Sequence, residues 1–328
     1  MEIEKKSDYK KPILVDNRHF RKINPNINEY FDAVEKELND LPKKDGVVVD
    51  DEIIENINCP ICDYTGARQI FVKSGFIFSE CERCLHVYIQ NRFKENVLLE
   101  KYSSSVIDQI QRKVTVSSPD HQNYWAQVYK KYIDYFNTLE ITNNNLLDVG
   151  SGSGEFLRFC DKHTNYNLYG NDFCDYNHSE IIKIIGDTNY YYKQKLEDIN
   201  FKEHKFGIMT FWGVLEHVTN PVSILKKCHD ILDVNGYILL LIPNIYSRAF
   251  KIFGINNPTL NPRAHINFYT KSSIKILCEM TNFKIVDLFQ ELPVIDLMYP
   301  FVIYNDELIE GILENEESYY HVYVLKKL

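Results

Sequence analysis

The sequence predicts an α/β fold: a doubly wound, mostly parallel sheet in the C-terminal part of the chain, preceded by a small cysteine-bearing module. Three observations predict it. From Asn145 onward, short apolar runs alternate with amphipathic segments, the order that places parallel strands between two layers of helices. The first of these runs, Leu146–Val149, leads straight into Gly150, Gly152 and Gly154, and glycines at a strand–helix turn let a backbone approach a ligand closely. Upstream, Cys59/Cys62 and Cys81/Cys84 form two Cys-x-x-Cys pairs separated by 18 residues.

Along the chain, residues 1–58 are polar and rich in Asn, Asp and Lys, with one helical stretch near Asn28–Leu41. Residues 59–90 carry the cysteine pairs and short strand-like runs at Gln69–Val72 and Phe76–Ser79. Residues 91–140 read as a helical linker or cap, with helices over Phe93–Tyr102 and Tyr124–Leu139. In the second of these, Trp125, Val128, Tyr132, Ile133 and Phe136 recur at helical spacing. Residues 141–328 form the main domain. Its strands are expected at Leu146–Val149, Leu168–Gly170, Lys205–Phe211, Tyr237–Ile242, Lys284–Leu288 and Tyr319–Leu325. Its helices are expected at Glu155–His163, Pro221–Leu232 and Lys271–Thr281.

Composition narrows the function classes. A chain of 328 residues exceeds one ordinary domain. Its hydrophobic content of 45% suffices for a sizeable core. Its 37 basic and 46 acidic residues give a net charge of −9, which argues against a nucleic-acid or anionic-membrane surface. The longest apolar run, Tyr237–Ile242, is far short of a membrane span, and Met1–Lys11 lacks the apolar core of a signal peptide. A soluble, cytoplasmic protein is expected. In a reducing compartment, four cysteines in two such pairs favour a metal over disulfides. Two knuckles aiming four thiolates at one centre make a closed tetrahedral site, so Cys59, Cys62, Cys81 and Cys84 are read as a structural Zn²⁺ ribbon. Reduced free thiols, a redox pair and iron are the alternatives.

The glycine loop admits two enzyme classes. A dinucleotide-binding G-x-G-x-x-G would need a third glycine at position 155, which is Glu155. The loop reads G-x-G-x-G, preceded by Asp148. Asp172 follows 24 residues after Asp148, at the end of the second strand, where an acid can accept from both hydroxyls of a ribose.

Four segments then resemble, in the correct order, the class I S-adenosylmethionine-dependent methyltransferases, in their ubiquinone-biosynthesis-like O-methyltransferase branch. They are Leu146–Gly154, Phe211–Pro221, Val234–Asn244 and His265–Ser273. The cysteine module is similar to ribbons that precede methyltransferase domains of bacterial sugar, capsule and natural-product pathways. The resemblance covers roughly residues 120–328 and implies a seven-stranded Rossmann-like sheet with S-adenosylmethionine as cofactor. It implies that Asp148, Gly150, Ser151, Gly152 and Gly154 hold the methionyl end. Asp172 would bind the ribose, Phe173 would lie against the adenine, and Leu196 would present its backbone to the adenine edge. Phe211, Trp212 and Gly213 would line the sulfonium region. One departure stands out: the family often has an acid just before the position of Leu196, and here that residue is Lys195. Glu197 or a backbone carbonyl is left to read the adenine amino group.

Methyl transfer asks the protein for alignment and for removal of the acceptor's proton. His265 and His217 are the candidate bases, and Glu216 a candidate to orient the acceptor. Tyr299, Phe301 and Tyr304 are candidates for a substrate lid. The expected activity is O-methylation of a small polar metabolite, such as a nucleotide-activated sugar or a surface-glycan precursor. Two other readings remain at this stage. One is an RNA or protein methyltransferase that docks its target through the ribbon; the other is a non-catalytic cofactor-binding module.

Overall fold

The computed structural model describes residues 9–14, 26–104, 107, 110, 119–174, 178–185, 191–257, 259–292 and 305–328. The proposed lid residues Tyr299, Phe301 and Tyr304 lie outside the described residues.

Seven strands build the main sheet: β1 Asn145–Val149, β2 Asn167–Asn171, β3 Tyr191–Tyr192, β4 Phe206–Trp212, β5 Leu232–Pro243, β6 Phe283–Glu291 and β7 Tyr320–Lys327. Their spatial order is β3-β2-β1-β4-β5-β7-β6. The first five run parallel, and β7 lies antiparallel between β5 and β6. The sheet is therefore mixed, with one reversed strand. Strand order reverses between β1 and β4, and the crevice outside their C-terminal ends is where ligands bind in such sheets.

Alternation along the strands supplies both faces. Leu146, Ile208 and Leu239 pack with the helices Pro119–Phe136 and Glu155–His163. Leu147, Met209 and Leu240 point the other way, toward the helices Pro221–Ile231 and Lys271–Met280. Central strands covered on both sides read as continuous apolar runs, and this made them legible in the sequence.

Several boundaries differ from the sequence expectation. The helix expected from Phe93 starts at Glu95, because Asn91–Phe93 pairs with Ile54–Asn56 as a short antiparallel ladder. The helix expected from Tyr124 starts earlier, at Pro119, a residue suited to a first helical turn. β5 starts at Leu232, where Phe206 pairs with it ahead of a register shift. The helices His178–Ile185 and Asp306–Glu314 and the two-residue β3 carried no expectation.

The cysteine module is not closed on itself. Its hairpin, Ala67–Lys73 and Phe76–Cys81, is extended by Val87–Ile89 and then by Asn267–Phe268 from the main domain. The helix Asn26–Asn39 covers this small sheet. Tyr30, Val34 and Leu38 form one apolar cluster with Phe76, Phe78, Leu260, Ile266 and Phe268.

One buried ion pair joins the sheet edge to the helix Pro119–Phe136. Lys131 Nζ lies 2.5 Å from Glu291 Oε1, with both side chains almost fully covered. Tyr132 O–H donates to the same oxygen at 2.8 Å, and Ile13 N–H donates to Oε2 at 3.0 Å. Removing one partner of such a pair strands the other charge. Glu291→Ala is expected to cost roughly 3–5 kcal/mol in urea unfolding. Glu291→Leu combined with Lys131→Met should recover most of that loss.

Candidate active site

β1 ends at Val149 and leads into Gly150, whose φ is 64°. A Cβ there would come within 2.8 Å of Val214, so this glycine lets the β1 loop lie against the loop that follows β4. Gly152 also has a left-handed φ, 51°, and a Cβ on it would meet nothing closer than Gly150 O at 4.0 Å. The turn thus leaves an open cradle. Gly152 N–H donates to Asp172 Oδ2 at 2.9 Å, and Cys174 N–H donates to Asp172 Oδ1 at 2.8 Å. Those bonds fix the carboxylate at the tip of β2.

A cleft lies beside this turn, lined by Gly150 but not by Gly152. Gly150, Asp172, Phe173 and Leu196 line it, as does Val214 from the facing loop. Across it, the helix Glu95–Ser104 supplies Glu95, Leu98 and Tyr102. Glu95 Oε1 pairs with Lys195 Nζ at 3.0 Å and accepts from Thr219 Oγ1 at 2.7 Å. An acid therefore stands beside Lys195, although it comes from 100 residues upstream.

Other expected residues are placed differently. Asp148 lines neither this cleft nor its neighbour. It is buried beneath the loop, accepts from Thr210 Oγ1 at 2.7 Å, and burial pushes its carboxyl up to about 8. Phe211 is wholly buried in the sheet. Ser151 Oγ faces Asn171 O and Tyr191 Oη. Gly154 caps the following helix, where a Cβ would meet Ile181.

A second, wider cleft adjoins the first. It is lined by Trp212, Gly213, Glu216, His217, His265 and the aromatic rings of Tyr30, Trp125, Tyr129 and Tyr320. Tyr102 and His217 line both clefts and so mark their junction. Tyr102 lies in no motif and is 115 residues from His217, so no local pattern marked it. Its Oη lies 2.7 Å from His217 Nδ1 and donates to Ala264 O at 2.8 Å.

Glu216, His217 and His265 each place a donor atom within 4.8 Å of the others. His265 Nδ1 faces Thr259 O at 2.8 Å. A carbonyl only accepts, so Nδ1 carries the proton and Nε2 keeps its lone pair. Burial pushes His265 down to about 4. Burial, followed by the His265 ring, pushes His217 down to about 3. Both rings are neutral at pH 7. Burial pushes the Glu216 carboxyl up to about 8, and its Oε2 has no partner among the described residues. Trp212 Nε1 is likewise unpartnered there. Unsatisfied buried polar atoms in a cleft are rare unless a ligand meets them.

The cysteine module positions this trio. Asn267 Nδ2 donates to Val218 O at 2.6 Å, Ile266 N–H to Glu216 O at 2.9 Å, and Ile89 N–H to Ile266 O at 3.1 Å. His86, fully buried, holds Asn267 Oδ1 through Nε2 at 3.1 Å. Within the module, the sulfurs of Cys59 and Cys84 lie 3.4 Å apart, and those of Cys62 and Cys81 lie 3.5 Å apart. All four sulfurs lie within 4.8 Å of one another. That is too far for disulfides and close to the ~3.8 Å edge of a tetrahedron with metal–sulfur bonds of 2.3 Å. Each knuckle ends on a left-handed residue, Asp63 or Leu85. The Cys84 thiol holds Cys59 down to about 5, while burial pushes Cys62 up to about 11. The cluster is chemically able to hold a metal ion.

Comparisons with known proteins come last. A family model described as a methyltransferase domain matches residues 123–288, just over half of the chain. No curated protein matches the sequence. Among solved structures, a SAM-dependent methyltransferase from Archaeoglobus fulgidus is 20% identical, with 67% of this chain and 99% of that chain covered and a TM-score of 0.48. The 1,6-didemethyltoxoflavin-N1-methyltransferase of Burkholderia thailandensis is 13% identical, with 80% and 99% covered and a TM-score of 0.47. A possible histamine N-methyltransferase from Thermotoga maritima is 13% identical, with 70% and 100% covered and a TM-score of 0.48.

The raised Glu216 carboxyl has a stability signature. The unfolded carboxyl ionises near its ordinary value, while the folded one keeps its proton up to about 8. The folded state therefore binds the extra proton, and stability from this group falls as pH rises from about 4.5 to about 8. Glu216→Gln removes that loss. Its melting temperature should exceed wild type at pH 8.5 and approach it at pH 4.5 in a thermal-melt series.

Proposed function

The chain belongs to the methyltransferase-domain family, and from that premise we propose that it transfers a methyl group from S-adenosylmethionine to a hydroxyl of a small polar metabolite. The observation that carries this reading is the junction of two clefts at Tyr102 and His217. One cleft suits a nucleoside and the other an acceptor.

The residues present fit the cofactor. The open space above Gly152 is a cradle that a side chain would fill. Asp172 would meet the ribose hydroxyls, and Phe173 and Leu196 would flank the adenine. Glu95 or Glu197, both in the cleft, takes the place of the acid missing before Leu196. Gly150 and Gly152 meet the methionyl end directly. Asp148 and Phe211 act from beneath, by fixing the loop and the strand. When bound, the sulfonium supplies an electrophilic methyl group with a neutral thioether as leaving group.

The chain's own residues then handle the acceptor. Trp212, Gly213 and the aromatic walls exclude water and align it. Glu216, His217 and His265, whose donor atoms lie within 4.8 Å of one another, form a proton-accepting set. Of the three, Glu216 has the pKa closest to working pH, the condition for an efficient base. His265, with its bare Nε2, is the second candidate base. The acceptor class we favour is a nucleotide-activated sugar or a surface-glycan precursor. The net charge of −9 weighs against RNA. We further propose that Cys59, Cys62, Cys81 and Cys84 hold a structural Zn²⁺, supported by their separations and burial.

Transfer of labelled methyl groups across a panel of acceptors tests the activity. On the true acceptor, Glu216→Gln and His265→Ala should each lower kcat by about 10² or more, leaving binding of S-adenosylhomocysteine intact. The kcat/KM of wild type should rise with pH and level off near 8, because the base must lose its proton. Wild-type turnover in both variants would remove the trio from the chemistry. Elemental analysis should find one zinc per chain, and Cys81→Ser should lose it and melt at lower temperature; a metal-free, equally stable wild type would overturn the zinc assignment.

A further inference from the structure

A third cavity, of about 800 Å³, lies between the helix Asn26–Asn39, the tip of the cysteine-module hairpin and the loop before His265. It shares Phe31 and Asn261 with the acceptor cleft, so the two are arms of one groove. Its one lysine is Lys73, at the hairpin turn.

Lys73 is in an unusual state for a lysine. Its side chain is partly buried, and its ammonium donates a long hydrogen bond, 3.5 Å, to Asn257 O. Among the described residues it has no carboxylate within ion-pair distance; Glu35 lines the same cavity and acts on it only from farther away. Burial pushes it down to about 8. A covered cation without a counter-charge is costly and is normally neutralised by a partner. Ser74, Asn256 and Asn261 add polar groups to the same wall, and Leu38 and Leu260 make the apolar one.

The acceptor cleft complements this. Among the described residues, no lysine or arginine lines it. An anionic acceptor must therefore find its counter-charge next door. Other nearby cations are already engaged: Arg158 donates to Ser153 O at 2.6 Å and faces Glu155 and Glu180, and Arg263 pairs with Glu37 at 2.9 Å. Lys73, by contrast, is wired to the reacting end. Lys73 donates to Asn257 O, Asn257 Oδ1 accepts from Thr259 Oγ1 at 2.7 Å, and Thr259 O faces His265 Nδ1.

We infer that this arm is the anion-recognition subsite of the acceptor: Lys73 pairs with a phosphate or diphosphate group of the substrate while its methyl-accepting end lies at Glu216 and His265. The inference rests on the functional reading above and gives the cysteine module a direct part in substrate recognition.

The test is calorimetric titration of the full chain with inorganic pyrophosphate and with uridine diphosphate. Both should bind wild type and weaken as salt rises. Lys73→Met should weaken both by about tenfold or more, with Lys73→Arg retaining most of the affinity. Lys275→Met, on an exposed helix face, should match wild type. Equal affinity in Lys73→Met, loss in Arg158→Met in its place, or no binding of either probe would overturn the subsite. S-adenosylhomocysteine is titrated into the same samples. If it binds and the anions do not, only the subsite falls; if it fails to bind wild type, the functional reading falls whatever the anions do.

Discussion

The structure depends on a close approach of two backbones. β1 and β4 are neighbours, and the chain leaves them in opposite directions. Their loops must pass each other at the sheet rim, and Gly150 against Val214 is where they touch. Without a Cβ at that point, the glycine turn lies flat beside the Val214–His217 segment. The residues proposed to bind the donor and to handle the proton are thereby brought to one edge of one sheet. A bulkier residue would separate the two loops and the functions they carry.

The second support comes from outside the sheet. A ladder of backbone and amide bonds runs from Ile89 through Ile266 and Asn267 to Glu216 and Val218. The small cysteine module thus buttresses Glu216, His217 and His265 from behind. Its fixed geometry is what a site with a buried carboxyl and two half-buried imidazoles requires, because such groups shift position readily unless every neighbour is held. The helix Asn26–Asn39 completes the arrangement. Glu37 meets Arg263 Nε at 2.9 Å, and Tyr30 Oη accepts from Asn261 Nδ2 at 3.2 Å. A segment that looked like a polar extension is in fact a wall of the groove.

Much of this was legible in the sequence, and the reason is locality. Leu146–Gly154 encodes a buried strand and its turn within nine residues. Asp172 ends the next strand, and the cysteine pairs are set by short spacings. What was not legible depends on long-range contact. Tyr102 and Glu95 reach the site from a helix that has no motif, across more than a hundred residues. β3 is two residues long, too short for any periodicity. Lys73 carried no expectation, and only the packing of three separate segments around it reveals a partly buried charge. Asp148 and Phe211 were recognisable as motif residues, yet whether a side chain lines a cleft or lies beneath it depends on the strand's pairing partners.

The most direct test of the central claim is the affinity of S-adenosylhomocysteine for wild type and for Gly152→Val, measured by titration calorimetry at one salt concentration. If the cradle above Gly152 receives the donor, wild type binds with one site per chain and the valine variant, still folded, loses that binding. Equal binding by both proteins, or none by wild type, would contradict it.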